Sequence, residues 1–168
     1  MWAPSAGFSQ GLRIVVVTDA DMRREIATTA LEDELAARGR PRWKAAAPVH
    51  MVVLTRESDY YERYQQQDKS TGRREIAWPA PYWYVDAGAA IMTLMLAAID
   101  EGLDTAIFGV TELEALRATL GLPEDVRFVA VVTMGYPAEG RDEPSDDRSV
   151  FTKRRKARPE VVRWERWE

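Results

Sequence analysis

The chain contains no cysteine and a single histidine among its 168 residues. Without thiols there is no disulfide framework and no thiolate nucleophile or metal ligand. One histidine, His50, leaves no basis for a histidine-built zinc site or a Ser-His-Asp triad. It stands in the apolar run Pro48 to Leu54, where a lone imidazole reads as a satisfied core or interface group. The motifs GxGxxG, HExxH, CxxC and the P-loop are also missing. So is any excess of positive charge: 23 basic against 27 acidic residues give a net charge of −4, which argues against nucleic-acid binding by bulk charge. No basic segment followed by an apolar one opens the chain, so no signal peptide is expected. The lack of cysteine is compatible with a reducing cytoplasm. The acidic residues are spread over helix faces and loops, and no pair stands out as a general acid and base.

What is present is a soluble globular composition, 46% hydrophobic and 30% charged, with the length of one domain spanning 1–168. Its centre is PYWYVDAGAAIMTLMLAAIDEGLDTAIFGV, Pro81 to Val110. Asp86 reads as an N-cap, and from Ala87 to Ile99 the helix is apolar almost all round, as a core helix is. The apolar run reads as too short for a bilayer. Gly102 fits the residue that ends the helix, and Thr105 to Val110 reads as a buried strand with Gly109 near its tip.

The remaining elements fall on either side. A Pro-, Ser- and Gly-rich loop (MWAPSAGFSQG) precedes a strand at Leu12 to Thr18. Asp19 or Asp21 caps a helix running to about Arg38, followed by a linker and a strand at Val49 to Leu54. Ser58 to Arg74 is polar, with Tyr60, Tyr61 and Tyr64 set in it. The aromatic and proline run Trp78 to Tyr84 suits either a lid or a plug over the core end. Thr111 and Glu114 form a capping box for a short helix, and Val126 to Met134 is the last core strand. The end carries the basic cluster Lys153, Arg154, Arg155, Lys156 and Arg158, then Trp164 and Trp167, an arm that could embrace a partner subunit. The order predicts layered α and β structure. A basic cluster suits a phosphate, a solvated charge run is the competing reading, and glycine lets a flat ring approach the backbone.

At APSAGFSQG with LRIVVVTD, YWYVDAGAAIMTLMLAAIDEGLDTAIFGV, FVAVVTMGYPAEG and KRRKARPEVV, the chain resembles the FMN-dependent nitroreductase family over most of its length. The resemblance implies an α+β fold: a three-layer α/β/α sandwich with a central buried helix and an extended C-terminal arm, assembled as a homodimer with two FMN sites shared between subunits. It implies cofactor contacts from Pro4, Ser5, Ala6, Gly7 and Gln10, from Ile107, Phe108 and Gly109, and from Arg154, Arg155 and Lys156 at the phosphate. Tyr61, Trp83 and Tyr84 would shape the substrate face. The implied reaction is ping-pong, in which NAD(P)H reduces the flavin and a nitro compound, quinone or related small acceptor reoxidises it. No metal, nucleic acid or membrane is implied, and the location is expected to be cytoplasmic. The chain begins at the loop after the family's opening helix, whose arginines meet the phosphate. Each charge-assisted bond is worth about 1.5–3 kcal/mol, so weaker FMN binding is expected. The alternative is a degenerate dimer of this fold with weak or no FMN binding, acting as a binding or scaffold protein.

Overall fold

The computed structural model describes residues 3–69, 78–138 and 155–167. They divide into two units, Met1–Tyr136 and Pro137–Glu168.

Four strands form the sheet of the first unit: β1 (Leu12–Val17), β2 (Val49–Arg56), β3 (Asp104–Phe108) and β4 (Val126–Gly135). Their order is β1-β2-β4-β3 and every pairing is antiparallel. Alternation along the strands sends side chains to two separate cores. On one face Val17, Val52, Leu54, Phe108, Val126 and Val131 join Ile26 and Leu116, which lie on helices α1 (Ala20–Thr28) and α5 (Leu113–Leu120). On the other, Val53, Ala130 and Val132 pack with Ile91 of α4 (Tyr82–Asp100). The result is the expected α+β sandwich of three layers. In β4, Val129 and Ala130 both turn toward α4, at a register shift opposite Val53 and Leu54; a bulge of this kind keeps both cores supplied despite the extra residue.

Several local expectations need correction. The helix after Asp19 is broken. Asp19 does cap it, accepting the N–H groups of Asp21 and Met22, but Leu31 adopts φ +58° and starts a second helix, α2 (Glu32–Ala37). The break exposes the Thr29 carbonyl, which accepts N–H bonds from Thr111 and Glu112 and the Thr111 hydroxyl at 3.0 Å. Thr111 therefore ties α5 to the break instead of capping α5, whose cap position is Glu112.

Helix α4 also begins earlier than expected, so Asp86 lies inside it and not at its cap. Its C-terminus matches the expectation: Gly102 has φ +77°, and the N–H groups of Gly102 and Leu103 bond Ile99 and Ala98 carbonyls, closing the helix with a left-handed residue. The helix is not buried all round. Trp83, Ala87, Ala90, Ile91 and Ala98 face inward, whereas Val85, Met92, Leu96 and Ile99 are each more than half exposed. At 19 residues with mean hydropathy 1.4 it is long and apolar enough to cross a membrane by those measures, against the expectation of too short a run. Its inward stripe is nevertheless packed on the sheet.

Helix α3 (Ser58–Tyr64) follows β2. In the second unit a short helix, α6 (Arg158–Val161), is the regular element described. Trp164 and Trp167 are exposed, with the guanidinium groups of Arg158 and Arg163 over their rings.

Candidate functional site

The chain leading into β1 has a backbone that few sequences tolerate. Gly7, Phe8 and Gln10 all have positive φ, at +60°, +63° and +54°. A non-glycine residue held in that region costs about 1–3 kcal/mol and persists only where its surroundings over-determine it. Here they do. The Ser5 carbonyl accepts the Phe8 N–H at 2.9 Å, and the Ser5 hydroxyl accepts the Gln10 N–H at 3.0 Å. Ser9 donates its hydroxyl to the Ala6 carbonyl at 2.6 Å. Arg63 Nε of α3 reaches the Gly7 carbonyl at 2.8 Å, and Asp86 of α4 accepts the Ala6 N–H at 2.7 Å.

The held loop borders a cleft of about 520 Å³ lined by Ala3, Pro4, Ser5, Phe8, Gln10, Leu12, Arg13, Tyr60, Asp86 and Ala90. That volume is in the range of small-molecule sites. Of the expected residues, Pro4, Ser5 and Gln10 line it, and Ala6 and Gly7 shape the turn above. The lining combines apolar Leu12 and Ala90 with polar Ser5 and Gln10. Its cation, Arg13, is bound to Asp59 at 2.7 Å. Phe8 stands 72% exposed at the rim. A second, more polar cleft of about 580 Å³ continues past it, over Ser9, Asp59, Glu62, Arg63 and Gln66.

The expected substrate-side aromatics lie where α3 meets the start of α4. Trp83 is buried, with its ring centroid 6.1 Å from those of both Tyr60 and Tyr61 and 6.3 Å from that of Tyr84. Trp78 stands edge-on to Tyr64 at 4.5 Å. The cluster braces the corner beneath the loop: a Cβ on Gly7 would come within 2.8 Å of the Tyr64 ring. Tyr61 and Tyr84 keep exposed edges.

Ile107, Phe108 and Gly109 are elsewhere. They end β3, at the edge of the sheet opposite β1, and at about 4.8 Å per strand the two edges are roughly 14 Å apart. One chain does not bring these two groups together. Phe108 is buried against Trp43 and His50, with ring centroids at 5.8 and 5.7 Å. Ile107 and Gly109 are exposed, and a Cβ on Gly109 would meet nothing within 4 Å. Arg155 and Lys156 are exposed members of the second unit; Arg154 lies outside the described residues.

His50 is a core group, as its apolar setting suggests. It is fully buried, and its Nε2 donates to the Lys44 carbonyl at 2.8 Å. Burial holds its pKa below the ordinary value. Nearby, the buried Glu32 accepts the N–H groups of Lys44 and Ala45 at 2.6 and 3.1 Å, and Lys44 Nζ donates to the Ala30 carbonyl.

Sequence reasoning missed Phe8, Arg13, Tyr60 and Asp86 as cleft residues. Two signals were available: a large aromatic amid Gly and Ser in a loop with no core of its own, and an acid set near the start of an apolar helix.

The arrangement of sheet and helices is the fold of solved nitroreductase-family structures. A protein of Bacillus subtilis with the provisional name nitroreductase superposes with a TM-score of 0.70 at 18% identity, covering 97% of this chain and 82% of that one. An FMN-dependent nitroreductase of Clostridium difficile gives 0.65 at 15% identity, covering 99% and 82%. In sequence, the nitroreductase family profile matches residues 1–136, and the chain belongs to that family. Membership places it among the NAD(P)H-dependent oxidoreductases. A protein of Archaeoglobus fulgidus with the provisional name NADH dehydrogenase/NAD(P)H nitroreductase is 29% identical over 88% of this chain and 74% of its own length. The 5,6-dimethylbenzimidazole synthase of Rhodospirillum rubrum is 30% identical over 91% and 74%.

Proposed function

We propose that this protein is a cytoplasmic FMN-dependent oxidoreductase, working as a homodimer that passes electrons from NADH or NADPH to a nitro compound, a quinone or a related small acceptor. The observation that carries this reading is the strained loop 3–10, held open beside a cofactor-sized cleft in a chain of this family. The cleft suits a flavin ring. Leu12, Ala90 and Phe8 offer apolar surface, while the Ser5 hydroxyl and the Gln10 amide can meet polar ring edges. The phosphate is not matched there, because Arg13 is already neutralised by Asp59. Arg155 and Lys156, with Arg154 beside them in the chain, are the cations assigned to it. Bound flavin would supply hydride acceptance and donation, and the protein supplies orientation and exclusion of water.

The homodimer is supported by two features. The two groups of expected ring contacts occupy opposite sheet edges, so a second copy is needed to bring a loop and a β3 edge to one ring. The exposed Val85, Met92, Leu96 and Ile99 form an apolar face of the kind that marks an interface. Tyr61, Trp83 and Tyr84 would border the acceptor side.

Purified protein titrated with FMN should bind it with quenching of flavin fluorescence. The bound flavin should bleach anaerobically with NADH or NADPH and recover its colour when a nitroarene is added. Absence of FMN binding would reject the reading in favour of a cofactor-free scaffold. The 30% identity to a 5,6-dimethylbenzimidazole synthase supports a second reading, a dedicated biosynthetic reaction. Appearance of 5,6-dimethylbenzimidazole in turnover mixtures would select it.

A further inference from the structure

We infer that Asp86, steadied by Tyr60, is the positioning residue that locks loop 3–10 into its ligand-ready shape. Among the described residues, Asp86 is the one carboxylate lining the cleft. Both hydrogen bonds that they make to it fall on a single oxygen: Oδ2 accepts the Ala6 N–H at 2.7 Å and the Tyr60 hydroxyl at 2.8 Å. These bonds join three elements distant in sequence, the loop, α3 and α4. Tyr60 is itself buried, 1% exposed, and its ring packs so closely on Gly11 that a Cβ there would collide with it. Burial, and then the hydrogen bond to Asp86, hold the Tyr60 phenol protonated by raising its pKa, so it stays a donor at any physiological pH.

The lock sits where it has most leverage. Ala6 immediately precedes the three left-handed residues Gly7, Phe8 and Gln10. Most other bonds on the loop are local, and the Arg63 bond to Gly7 comes from a side chain that also serves Asp68 and Gln66 at the surface. The Ala6–Asp86 bond is the long-range, charge-assisted tie from the cleft side. With it made, Ser5 and Gln10 are presented to the cleft without reorganisation; preorganisation of this kind appears as affinity.

Because both bonds use one oxygen, the geometry separates bonding from charge. An asparagine can place its carbonyl where Oδ2 lies and accept both bonds, whereas alanine accepts neither. Three full-length variants, Asp86→Ala, Asp86→Asn and Tyr60→Phe, are compared by hydrogen–deuterium exchange of segment 3–11 without cofactor and by FMN affinity. Asp86→Ala should raise exchange in 3–11 while leaving β2 and β4 protected, and should weaken FMN binding about 10- to 100-fold, the range for a lost charge-assisted bond. Asp86→Asn should restore both to within about threefold, and Tyr60→Phe should fall between. Unchanged exchange in Asp86→Ala, or an Asp86→Asn variant as impaired as Asp86→Ala, would overturn the lock. The affinity arm rests on the FMN reading; the exchange arm does not, so a wild-type protein that binds no FMN rejects that reading and still leaves the lock tested. If Asp86→Ala fails to fold, the graded pair of Asp86→Asn and Tyr60→Phe decides by the same exchange readout: Tyr60→Phe indistinguishable from wild type in 3–11 overturns the proposal.

Discussion

At the β1 edge, loop 3–10 is held by hydrogen bonds whose partners are partly open to solvent, among them Asp86, Arg63 and Ser5. At the β3 edge, Phe108 is buried against Trp43, His50 and Lys44, and Glu32, itself buried, fixes the linker beneath it by accepting two backbone N–H groups. The first edge carries strain and keeps it in check with adjustable contacts. The second carries none in its strand and is set by burial. Local opening costs least where backbone bonds are exposed and apolar contacts are few, so the two edges should differ in mobility. In the proposed homodimer, a β3 platform would face a responsive loop from another copy, a division that suits a site admitting two substrates in turn.

The largest expected effect tests the proposed joining of the edges across copies. Gly109→Trp fills the open space at the β3 edge without meeting its own chain, and Ser5→Tyr fills the cleft at the β1 edge. Each variant alone should lose FMN binding at every site. Mixed and reassorted, half of the dimers carry both variants, and each such dimer has one site free of either change, so roughly a quarter of all sites recover. Recovery of FMN binding on mixing is the check. No recovery, with reassortment verified by mass, would mean that each chain builds its own site and that the separation of the edges has another use.

A smaller effect tests the burial of the β3 edge. Glu32→Ala leaves the N–H groups of Lys44 and Ala45 without their acceptor, which should cost about 2–4 kcal/mol of stability. Denaturant unfolding measures it. Asp33→Ala, its exposed neighbour whose partner Arg42 lies at the surface, should shift the midpoint little. Equal losses would deny the contrast between the buried and the open edge.

How far these edges could be read in advance follows from what each residue's neighbours are. The strands were legible because β-branched runs such as LRIVVV and VRFVAVV fit nothing else, and Gly102 was legible because a left-handed residue after a long helix asks for glycine. Asp86 was misread because an acid near a helix start resembles a cap; its real partners, Ala6 and Tyr60, are 80 and 26 residues away. Leu31 gave no signal for the helix break, since the groups that take up the freed Thr29 carbonyl, Thr111 and Glu112, are far away in sequence. The helix read as apolar all round was read correctly in composition. Which half packs on the sheet is set by tertiary contacts that its composition does not show. Of the cleft lining, Pro4, Ser5 and Gln10 were pointed to by the family resemblance, and the cleft's aromatic rim and acid were not, because both depend on long-range contacts.

The smallest expected effect concerns His50. Its burial depresses the folded-state pKa below the unfolded value of 6.5, with desolvation opposed in part by the bond from Nε2 to the Lys44 carbonyl. Between those two values the unfolded chain binds a proton that the folded chain refuses, so stability rises with pH there. The contribution is therefore fully present above about pH 6.5 and is lost as pH falls toward the folded pKa, at about 1.4 kcal/mol per unit of separation. His50→Gln keeps a donor in reach of the Lys44 carbonyl and cannot titrate. Unfolding free energies of wild type and variant, taken at about pH 7.5 and about pH 5, should show a wild-type loss on acidification that the variant reduces. Equal losses in the two proteins would mean that water or local opening lets His50 take up its proton in the folded state, and the β3 edge would then be less closed than its contacts imply.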